Sequence, residues 1–292
     1  MSALACVELK SGATSADGVP TDNDALRQAL YAGKIYRFAA SPASLKLVAA
    51  AVALLDVEFT APGSTDAGKI DAHRKLQFGL SPKELFERMG KVRKAVPAAA
   101  ELQALVFDLI AELGFDGKAN ALDPARLRAV SHLGHENPLA APAYTAHRDT
   151  WYANPQAQIN WWMPLHDVGE GETFEFFPDY FIKPVENDSQ DFDYDQWMAQ
   201  VGWQSTNGAK AVYPAAGASF AGIGPLPFGC KAGEVILFAA AQVHQTVKNV
   251  SGLMRLSVDF RTVHLDDHAK GVGAPNVDNL STGCSLVDYK RL

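Results

Sequence analysis

The sequence predicts a mainly β domain with flanking helices, in which residues 1–125 are mostly helical and residues 126–265 form the sheet core. In the first part, apolar residues recur every three or four positions, which is typical of helices with one buried face. In the second part, short β-branched or aromatic runs alternate with Gly, Pro and Asn, as in strands joined by turns. Helices followed by strands favour a helical layer on a mainly antiparallel sheet over alternating βαβ units.

Local signals place the helices and strands in order along the chain. The first twenty residues, rich in Gly, Ala, Ser and Asp, predict an irregular lead-in. The predicted helices are one over 23–32 capped by Thr21 or Asp22, one over 42–55 opened by Ser41-Pro42, one opened by the capping box Ser81-Pro82-Lys83-Glu84, and a long one after Pro97. The predicted strands are 34–38, 128–133, 158–165, 173–177, 234–238 and 256–265.

Two segments interrupt this rhythm. Residues 183–228 join the acidic stretch ENDSQDFDYDQW to a Gly/Pro/Ala-rich loop, and so long an insertion predicts a lid or binding loop. Residues 266–292, rich in Gly, Asn and Asp, predict a tail after the last strand. The whole chain of 292 residues is therefore predicted to be one domain with a lid insertion.

Composition excludes several classes of partner. The net charge is −7 and Lys and Arg are not clustered, which disfavours nucleic-acid binding. Three widely spaced cysteines are typical of a reducing compartment, and no apolar run is long enough for a membrane span. The beginning of the chain does not resemble a signal peptide, so we expect a cytoplasmic protein that acts on a small molecule. The sequence leaves its oligomeric state open.

Three residues form a candidate metal site. His147 and Asp149 lie two positions apart, so an extended backbone directs both side chains to one face. His244 follows the run GEVILF, which reads as a turn and a strand. Two histidines and one carboxylate can occupy one face of an octahedral iron(II) and leave three positions open, which suits a bidentate 2-oxo acid and O₂.

Arg255 lies eleven residues after His244 and is a candidate anchor for the cosubstrate 2-oxoglutarate. Its planar guanidinium can grip a carboxylate through two parallel hydrogen bonds, and the hydroxyl of Ser257 on the same strand face can add a third. The alternative is a structural ion pair between Arg255 and Asp259, which also lies on that face.

The order His147-x-Asp149, His244 and Arg255, with GEVILF before the second histidine and N-x-S-x-x-x-R-x-S over residues 249–257, resembles the phytanoyl-CoA dioxygenase family. The resemblance covers roughly residues 128–263. It implies a double-stranded β-helix (jelly roll, cupin-like) and an iron(II)/2-oxoglutarate-dependent dioxygenase that releases succinate and CO₂. His147, Asp149 and His244 would then hold the iron, and Arg255 with Ser257 the cosubstrate. Because related halogenases lack the carboxylate ligand, Asp149 favours hydroxylation of an unactivated C–H bond.

Further residues are candidates by position. Gln158, Asn160 and Trp162 share one strand face, and Gln158 and Asn160 are predicted cosubstrate contacts if that face is interior. The candidate substrate contacts are Arg148, Trp151, Trp162 and Arg261. For the tryptophans, ordinary core packing is an equal alternative.

Three other patterns have simpler interpretations. His264-x-Asp266, with Asp267 and His268, could also chelate a metal, but it has no distant histidine partner and predicts a surface loop. His147-Arg148-Asp149 with Asn154 matches the spacing of a kinase catalytic loop, but the chain lacks the nucleotide-binding motifs. Three aspartates within residues 191–195 lack the glycine and glutamate of a calcium loop. The alternative to an oxygenase is a cupin-like metal-binding or isomerising protein that does not activate O₂.

Overall fold

The computed structural model describes residues 6–10, 20, 22–137, 140, 143–200 and 213–291. Its helices are α1 (Asn23–Tyr31), α2 (Pro42–Phe59), α3 (Ile70–Arg74), α4 (Leu76–Gly79), α5 (Pro82–Ala98), α6 (Ala100–Glu112), α7 (Tyr194–Gln200) and α8 (Leu265–Ala269). Its strands are β1 (Cys6–Glu8), β2 (Tyr36–Phe38), β3 (Asn120–Val130), β4 (Gln158–Pro164), β5 (Phe174–Phe176), β6 (Val235–Ala239), β7 (His244–Thr246), β8 (Arg255–His264) and β9 (Lys290–Arg291). None of the helices in the described part of the chain is long and apolar enough to cross a membrane.

The predicted helix starts are confirmed where the structure describes them. Asp22 caps α1, since its carboxylate accepts a hydrogen bond from the N–H of Ala25 at 2.8 Å. Ser41 caps α2 through the N–H of Ser44, and Ser81 caps α5 through the N–H of Glu84. These short polar side chains satisfy first-turn donors that lack an intrahelical acceptor. Thr21, the alternative cap of α1, lies outside the described residues.

The strands form a large antiparallel sheet and a small one. The large sheet has the order β1-β2-β6-β4-β8-β3-β9, and the small sheet pairs β5 with β7. β8 lies at the centre of the site region, between β4 and β3. Strands that are distant in sequence are therefore adjacent in space, and the register of β4 against β8 decides which side chains meet.

One face of the large sheet is covered by helices and the other faces the small sheet. Leu256, Val258 and Phe260 of β8 lie in the same buried core as apolar residues of α2, α5 and α6. Trp162 of β4 points to the opposite side, where it packs with Phe174 of β5. Because strand side chains alternate between faces, Arg255 and Ser257 lie on the same side as Trp162. This side carries the candidate site.

Strand boundaries differ from the prediction in three places. β3 begins at Asn120 and not at residue 128, and its register shifts between Asp123 and Arg126. Pro124 lies in that shift, where a residue without an N–H is tolerated, so the strand continues through a residue that usually ends one. β1 lies in the predicted lead-in, whose residues 1–5 and 11–19 are outside the described part. β7 was not predicted.

The predicted tail is also ordered against the sheet. Its first residues form α8, and β9 pairs with β3 at the edge of the large sheet. His264, which was predicted to begin a surface loop, ends β8, and its Nδ1 accepts a hydrogen bond from the N–H of Asp267. Asp267 forms an ion pair with Arg27 at 2.8 Å. These contacts tie the end of β8 to α1.

Candidate metal centre

His147 and His244 are brought together by a backbone pairing. Each donates its N–H to the carbonyl oxygen of the other, both at 3.0 Å, in an isolated antiparallel bridge. Their ring centroids lie 4.4 Å apart. Asp149 begins a 3₁₀ turn that ends at Tyr152, and this turn directs its Oδ1 to 3.6 Å from Nε2 of His147 and 3.9 Å from Nε2 of His244.

Backbone carbonyls set the orientation of both imidazoles. Nδ1 of His147 lies 2.9 Å from the carbonyl oxygen of Thr145, and Nδ1 of His244 lies 3.0 Å from that of Gln242. Because a carbonyl oxygen only accepts, Nδ1 of each ring carries the hydrogen and Nε2 keeps its lone pair. This is the arrangement that metal-binding histidines adopt, with the outer nitrogen fixing the tautomer.

The three side chains could hold one metal ion. Their candidate ligand atoms all lie within 4.8 Å of one another, and no other such group of three occurs in the part of the chain that the structure describes. Burial and the neighbouring His147 lower the pKa of His244 from 6.5 to about 4. Burial by itself would raise the pKa of Asp149, but His147 and the Arg261 guanidinium hold it well below its usual range. A neutral imidazole and an ionised carboxylate are the forms that bind a metal.

Asn160 and Arg261 contact the second oxygen of Asp149. Nδ2 of Asn160 donates to Oδ2 of Asp149 at 2.7 Å, and Nε of Arg261 lies 3.7 Å from the same atom. Arg261 also pairs with Asp123 at 2.6 Å, and Gln158 donates to Asn160 at 2.8 Å. The interior position predicted for Gln158 and Asn160 is thus found, but both amides already have partners beside the carboxylate. The guanidinium of Arg261, a predicted substrate contact, is thus engaged by the carboxylates of Asp123 and Asp149.

Arg255 and Ser257 are buried polar residues without partners. Nε and Nη1 of Arg255 and the hydroxyl of Ser257 have no hydrogen-bond partner among the described residues, although the two residues are only 4% and 0% exposed. The alternative ion pair is not formed, since Asp259 accepts two hydrogen bonds from Arg128 at 2.7 and 3.1 Å. Burial lowers the pKa of Arg255 to about 10. Unpaired buried donors are rare and call for an acceptor that a ligand can supply.

Aromatic rings connect Arg255 to the histidines along the interior face. The Arg255 guanidinium lies 5.7 Å from the ring of Trp162, whose centroid is 5.2 Å from that of Phe174. Phe174 in turn lies 5.8 Å from His244. Contacts between aromatic rings therefore connect the candidate anchor with the candidate ligands on the side of the large sheet that faces the small one. Trp162, a predicted substrate contact, is one of these rings.

Arg148 and Trp151 do not reach this space, contrary to their predicted role as substrate contacts. The guanidinium of Arg148 donates to the carbonyl oxygens of Tyr180, Phe181, Lys183 and Ala241 and forms an ion pair with Asp278. The indole N–H of Trp151 donates to the same Asp278 at 2.8 Å. Both side chains are fully buried, so they brace the loop that carries Asp149.

Sequence reasoning missed the residues that support Asp149 from the end of the chain. The carboxylate of Asp278 accepts hydrogen bonds from the side chains of Arg148 and Trp151, and the hydroxyl of Tyr289 donates to Oε1 of Gln158 at 2.6 Å. No periodicity marks these residues, and their partners lie about 130 positions earlier. No motif in a single sequence could have indicated them, because only the packing of the end of the chain against the region of Asp149 brings them to the site.

Neither protein-family models nor curated protein sequences match the chain. Among solved structures it is similar to AviO1 from Streptomyces viridochromogenes Tue57, with 14% identity, 84% of this chain and 96% of that chain covered, and a TM-score of 0.38. EvdO2 from Micromonospora carbonacea var. aurantiaca, complexed with 2-oxoglutarate, has 12% identity, 84% and 92% coverage, and a TM-score of 0.44. The epimerase SnoN in complex with Fe3+, alpha ketoglutarate and nogalamycin RO has 17% identity, 82% and 84% coverage, and a TM-score of 0.41. These similarities are remote, and the ligands named belong to those proteins. What the fold and the site define is a mainly antiparallel β protein with a candidate mononuclear metal centre.

Proposed function

We propose that this protein is an iron(II)- and 2-oxoglutarate-dependent oxygenase that hydroxylates a small molecule, built on a double-stranded β-helix and related to the phytanoyl-CoA dioxygenase family. The observation that carries the proposal is the combination of a His-Asp-His group with a buried arginine on the same interior face, two of whose guanidinium nitrogens have no hydrogen-bond partner among the residues that the structure describes. A metal site alone is common to many barrels, but such a guanidinium favours an anionic ligand.

His147, Asp149 and His244 would hold the iron. They supply two imidazole nitrogens and one carboxylate oxygen, the donor set of non-haem iron(II) oxygenases that leaves coordination positions open. Asp149 offers only Oδ1, since Asn160 and Arg261 occupy the side of Oδ2. With iron bound, the centre supplies the O₂ activation that couples decarboxylation of 2-oxoglutarate to succinate and CO₂ with oxidation of a C–H bond.

Arg255 and Ser257 would hold the far carboxylate of 2-oxoglutarate. Both present unused polar atoms to the interior, and the guanidinium fork matches the two oxygens of a carboxylate. A bound carboxylate would accept hydrogen bonds from Arg255 and so replace the hydrogen bonds to water that the guanidinium lost on burial. The site is therefore preorganised for this ligand. Trp162 packs beside the guanidinium and limits its movement.

The surroundings of His244 would keep water away from the reacting centre. Phe174, Phe176 and Phe238 all have ring centroids within 6.4 Å of the His244 ring. Such an apolar shell strengthens the electrostatic interactions inside it and excludes competing solvent. We also propose residues 183–228 as a lid, although residues 201–212 lie outside the described part of the chain. Within the described part, Ala216 donates its N–H to the carbonyl oxygen of Ala146, next to His147.

The proposal is tested by anaerobic reconstitution with iron(II) and 2-oxoglutarate. We expect a weak visible charge-transfer band that is absent in His244→Ala. In air, slow conversion of 2-oxoglutarate to succinate without substrate should occur and be lost in Arg255→Ala. His268→Ala is the matched control, since this exposed histidine lies outside the site and should leave both signals unchanged.

Two outcomes would contradict the proposal. Absence of the band in the wild-type chain would show that the three side chains do not bind iron and cosubstrate together. A band without any succinate, with candidate substrates present, would favour a cupin-like metal-binding protein that does not activate O₂.

A further inference from the structure

A segment near the end of the chain packs behind the loop that carries Asp149. This segment comprises residues 278–289, and the loop comprises residues 148–154. Within them, Ala153 donates its N–H to the hydroxyl of Ser281 at 3.0 Å, and Ser285 donates its N–H to the carbonyl oxygen of Ala153, also at 3.0 Å. One backbone hydrogen bond and one hydrogen bond to a side-chain hydroxyl therefore join the two stretches at Ala153.

A chain of side-chain hydrogen bonds runs from this segment to the carboxylate of Asp149. The hydroxyl of Tyr289 donates to Oε1 of Gln158 at 2.6 Å. Nε2 of Gln158 donates to Oδ1 of Asn160 at 2.8 Å, and Nδ2 of Asn160 donates to Oδ2 of Asp149 at 2.7 Å. Because an ionised carboxylate only accepts, it fixes the orientation of both amides, and every donor in the chain points toward Asp149. Hydrogen bonds aligned in this way strengthen one another.

A second, shorter chain reaches the backbone of the same residue. The hydroxyl of Ser285 donates to Oδ1 of Asn154 at 2.5 Å. Nδ2 of Asn154 donates to the carbonyl oxygen of Asp149 at 2.8 Å. The segment thus holds Asp149 at two points, its carboxylate and its main chain, and the contacts cross about 130 positions of sequence.

These contacts decide which carboxylate oxygen faces the histidines. Oδ2 is engaged by Asn160 and lies near Arg261, whereas Oδ1 lies 3.6 Å from His147 Nε2 and 3.9 Å from His244 Nε2. A carboxylate held in this way gives one oxygen to a metal and keeps the other for the protein. A carboxylate free to rotate could give both oxygens and occupy a further coordination position.

We propose that Tyr289 and Ser285 are positioning residues that act through Asn160 and Asn154 to hold Asp149 as a one-oxygen metal ligand. The inference rests on the metal centre of the proposed function and does not require 2-oxoglutarate or O₂. The side-chain hydroxyls of the two residues bond to Asn154 and Gln158 and not to the candidate ligands, so their effect must appear in metal affinity and must depend on the residues between them and Asp149.

The test uses Co(II) as the probe, titrated into the full chain without cosubstrate and followed by its visible absorption bands. Asn160→Ala should weaken Co(II) binding about 10- to 100-fold, as loss of a group that orients a ligand does. Tyr289→Phe should weaken Co(II) binding about fivefold, which corresponds to the net free energy of one hydrogen bond. In the Asn160→Ala background, Tyr289→Phe should change the affinity less than about twofold, because the connection is already broken.

Tyr31→Phe is the matched control, since it removes another buried phenolic hydroxyl. That hydroxyl lies 3.2 Å from the carbonyl oxygen of Ala157 and 3.3 Å from the carboxylate of Asp267, and it does not take part in the side-chain hydrogen bonds from Tyr289 to Asp149. It should leave the Co(II) affinity unchanged, and thermal unfolding should show that every variant is folded. Should Asn160→Ala not fold, the comparison of Tyr289→Phe with Tyr31→Phe decides by itself.

The inference is overturned if Tyr289→Phe and Tyr31→Phe bind Co(II) equally well, or if the effects of Tyr289→Phe and Asn160→Ala simply add. These results leave the proposed function intact, because the wild-type chain still binds the metal. Conversely, the predicted affinities without any turnover of 2-oxoglutarate would support the positioning role and refute the oxygenase. A wild-type chain that does not bind Co(II) would overturn both.

Discussion

Replacing Arg255 by methionine should make the protein more stable and unable to bind 2-oxoglutarate. The guanidinium is 4% exposed, and its Nε and Nη1 have no partner among the described residues. Burial lowers its pKa from 12.5 to about 10, which corresponds to about 3 kcal/mol against the charged form. Methionine keeps a flexible apolar stem of similar length and removes that charge. We therefore expect the free energy of unfolding to rise by about 1–3 kcal/mol and the Tm by about 2–6 °C.

The same change should abolish most of the affinity for the cosubstrate. Two charge-assisted hydrogen bonds to a carboxylate contribute about 3 kcal/mol or more, so the Kd for 2-oxoglutarate should increase at least about 100-fold. Thermal unfolding with Ni(II), an inert substitute for iron, measures both effects. Added 2-oxoglutarate should raise the Tm of the wild-type chain by mass action and leave that of Arg255→Met almost unchanged.

Arg27→Met is the matched control. Arg27 is also buried, but it pairs with Asp267 at 2.8 Å, so its loss should lower the Tm and leave the response to 2-oxoglutarate intact. The reasoning is refuted if Arg255→Met lowers the Tm of the ligand-free protein, because the guanidinium would then have a stabilising partner. It is equally refuted if the variant binds 2-oxoglutarate within threefold of the wild type.

Three further predictions concern the ligands and the frame around them. His244→Ala should lower the affinity for Co(II) by at least about 100-fold in the same titration, whereas His268→Ala should not. Burial lowers the pKa of His166 below 6.5, and its Nε2 accepts a hydrogen bond from a backbone N–H of β8. The neutral imidazole therefore contributes stability that is complete above pH 6.5 and is lost as the pH falls below that value. The free energy of unfolding in urea should differ less between pH 7.5 and pH 5.5 in His166→Gln than in the wild-type chain. Gly273→Ala should destabilise the protein by about 1–3 kcal/mol, because the added Cβ would lie 2.5 Å from the backbone of the turn at residues 156–157. Gly169→Ala is its control, since the space around Gly169 is open and the Tm should change little.

Much of the helical layer followed from local sequence. The caps Asp22, Ser41 and Ser81 were recognisable because each bonds a donor three residues ahead, within the same turn. The alternation along β8 predicted that Arg255 and Ser257 share one strand face, and the structure packs Leu256, between them, on the opposite face against the helices. Such features depend on neighbours in the chain, so one sequence contains them.

Other features depended on contacts between distant segments. β3 begins at Asn120, before the predicted residue 128, because its pairing with β8 continues through the register shift that contains Pro124. The predicted cosubstrate contacts Gln158 and Asn160 were placed on the correct face, but their partners Tyr289 and Asp149 depend on the register of β4 and the position of β9. Whether the two amides also contact a cosubstrate stays a prediction.

The sequence by itself determined the types and order of the chemical groups: two imidazoles, a carboxylate and an arginine, of which His244 and Arg255 lie beside predicted strands. Only the tertiary structure decided that His147 and His244 pair through their backbones, that Nε and Nη1 of Arg255 have no hydrogen-bond partner in the described part of the chain, and that the end of the chain holds Asp149. The physical reason is that composition and periodicity report local geometry, whereas a hydrogen bond between residues about 130 positions apart exists only once strand register and packing have fixed both partners.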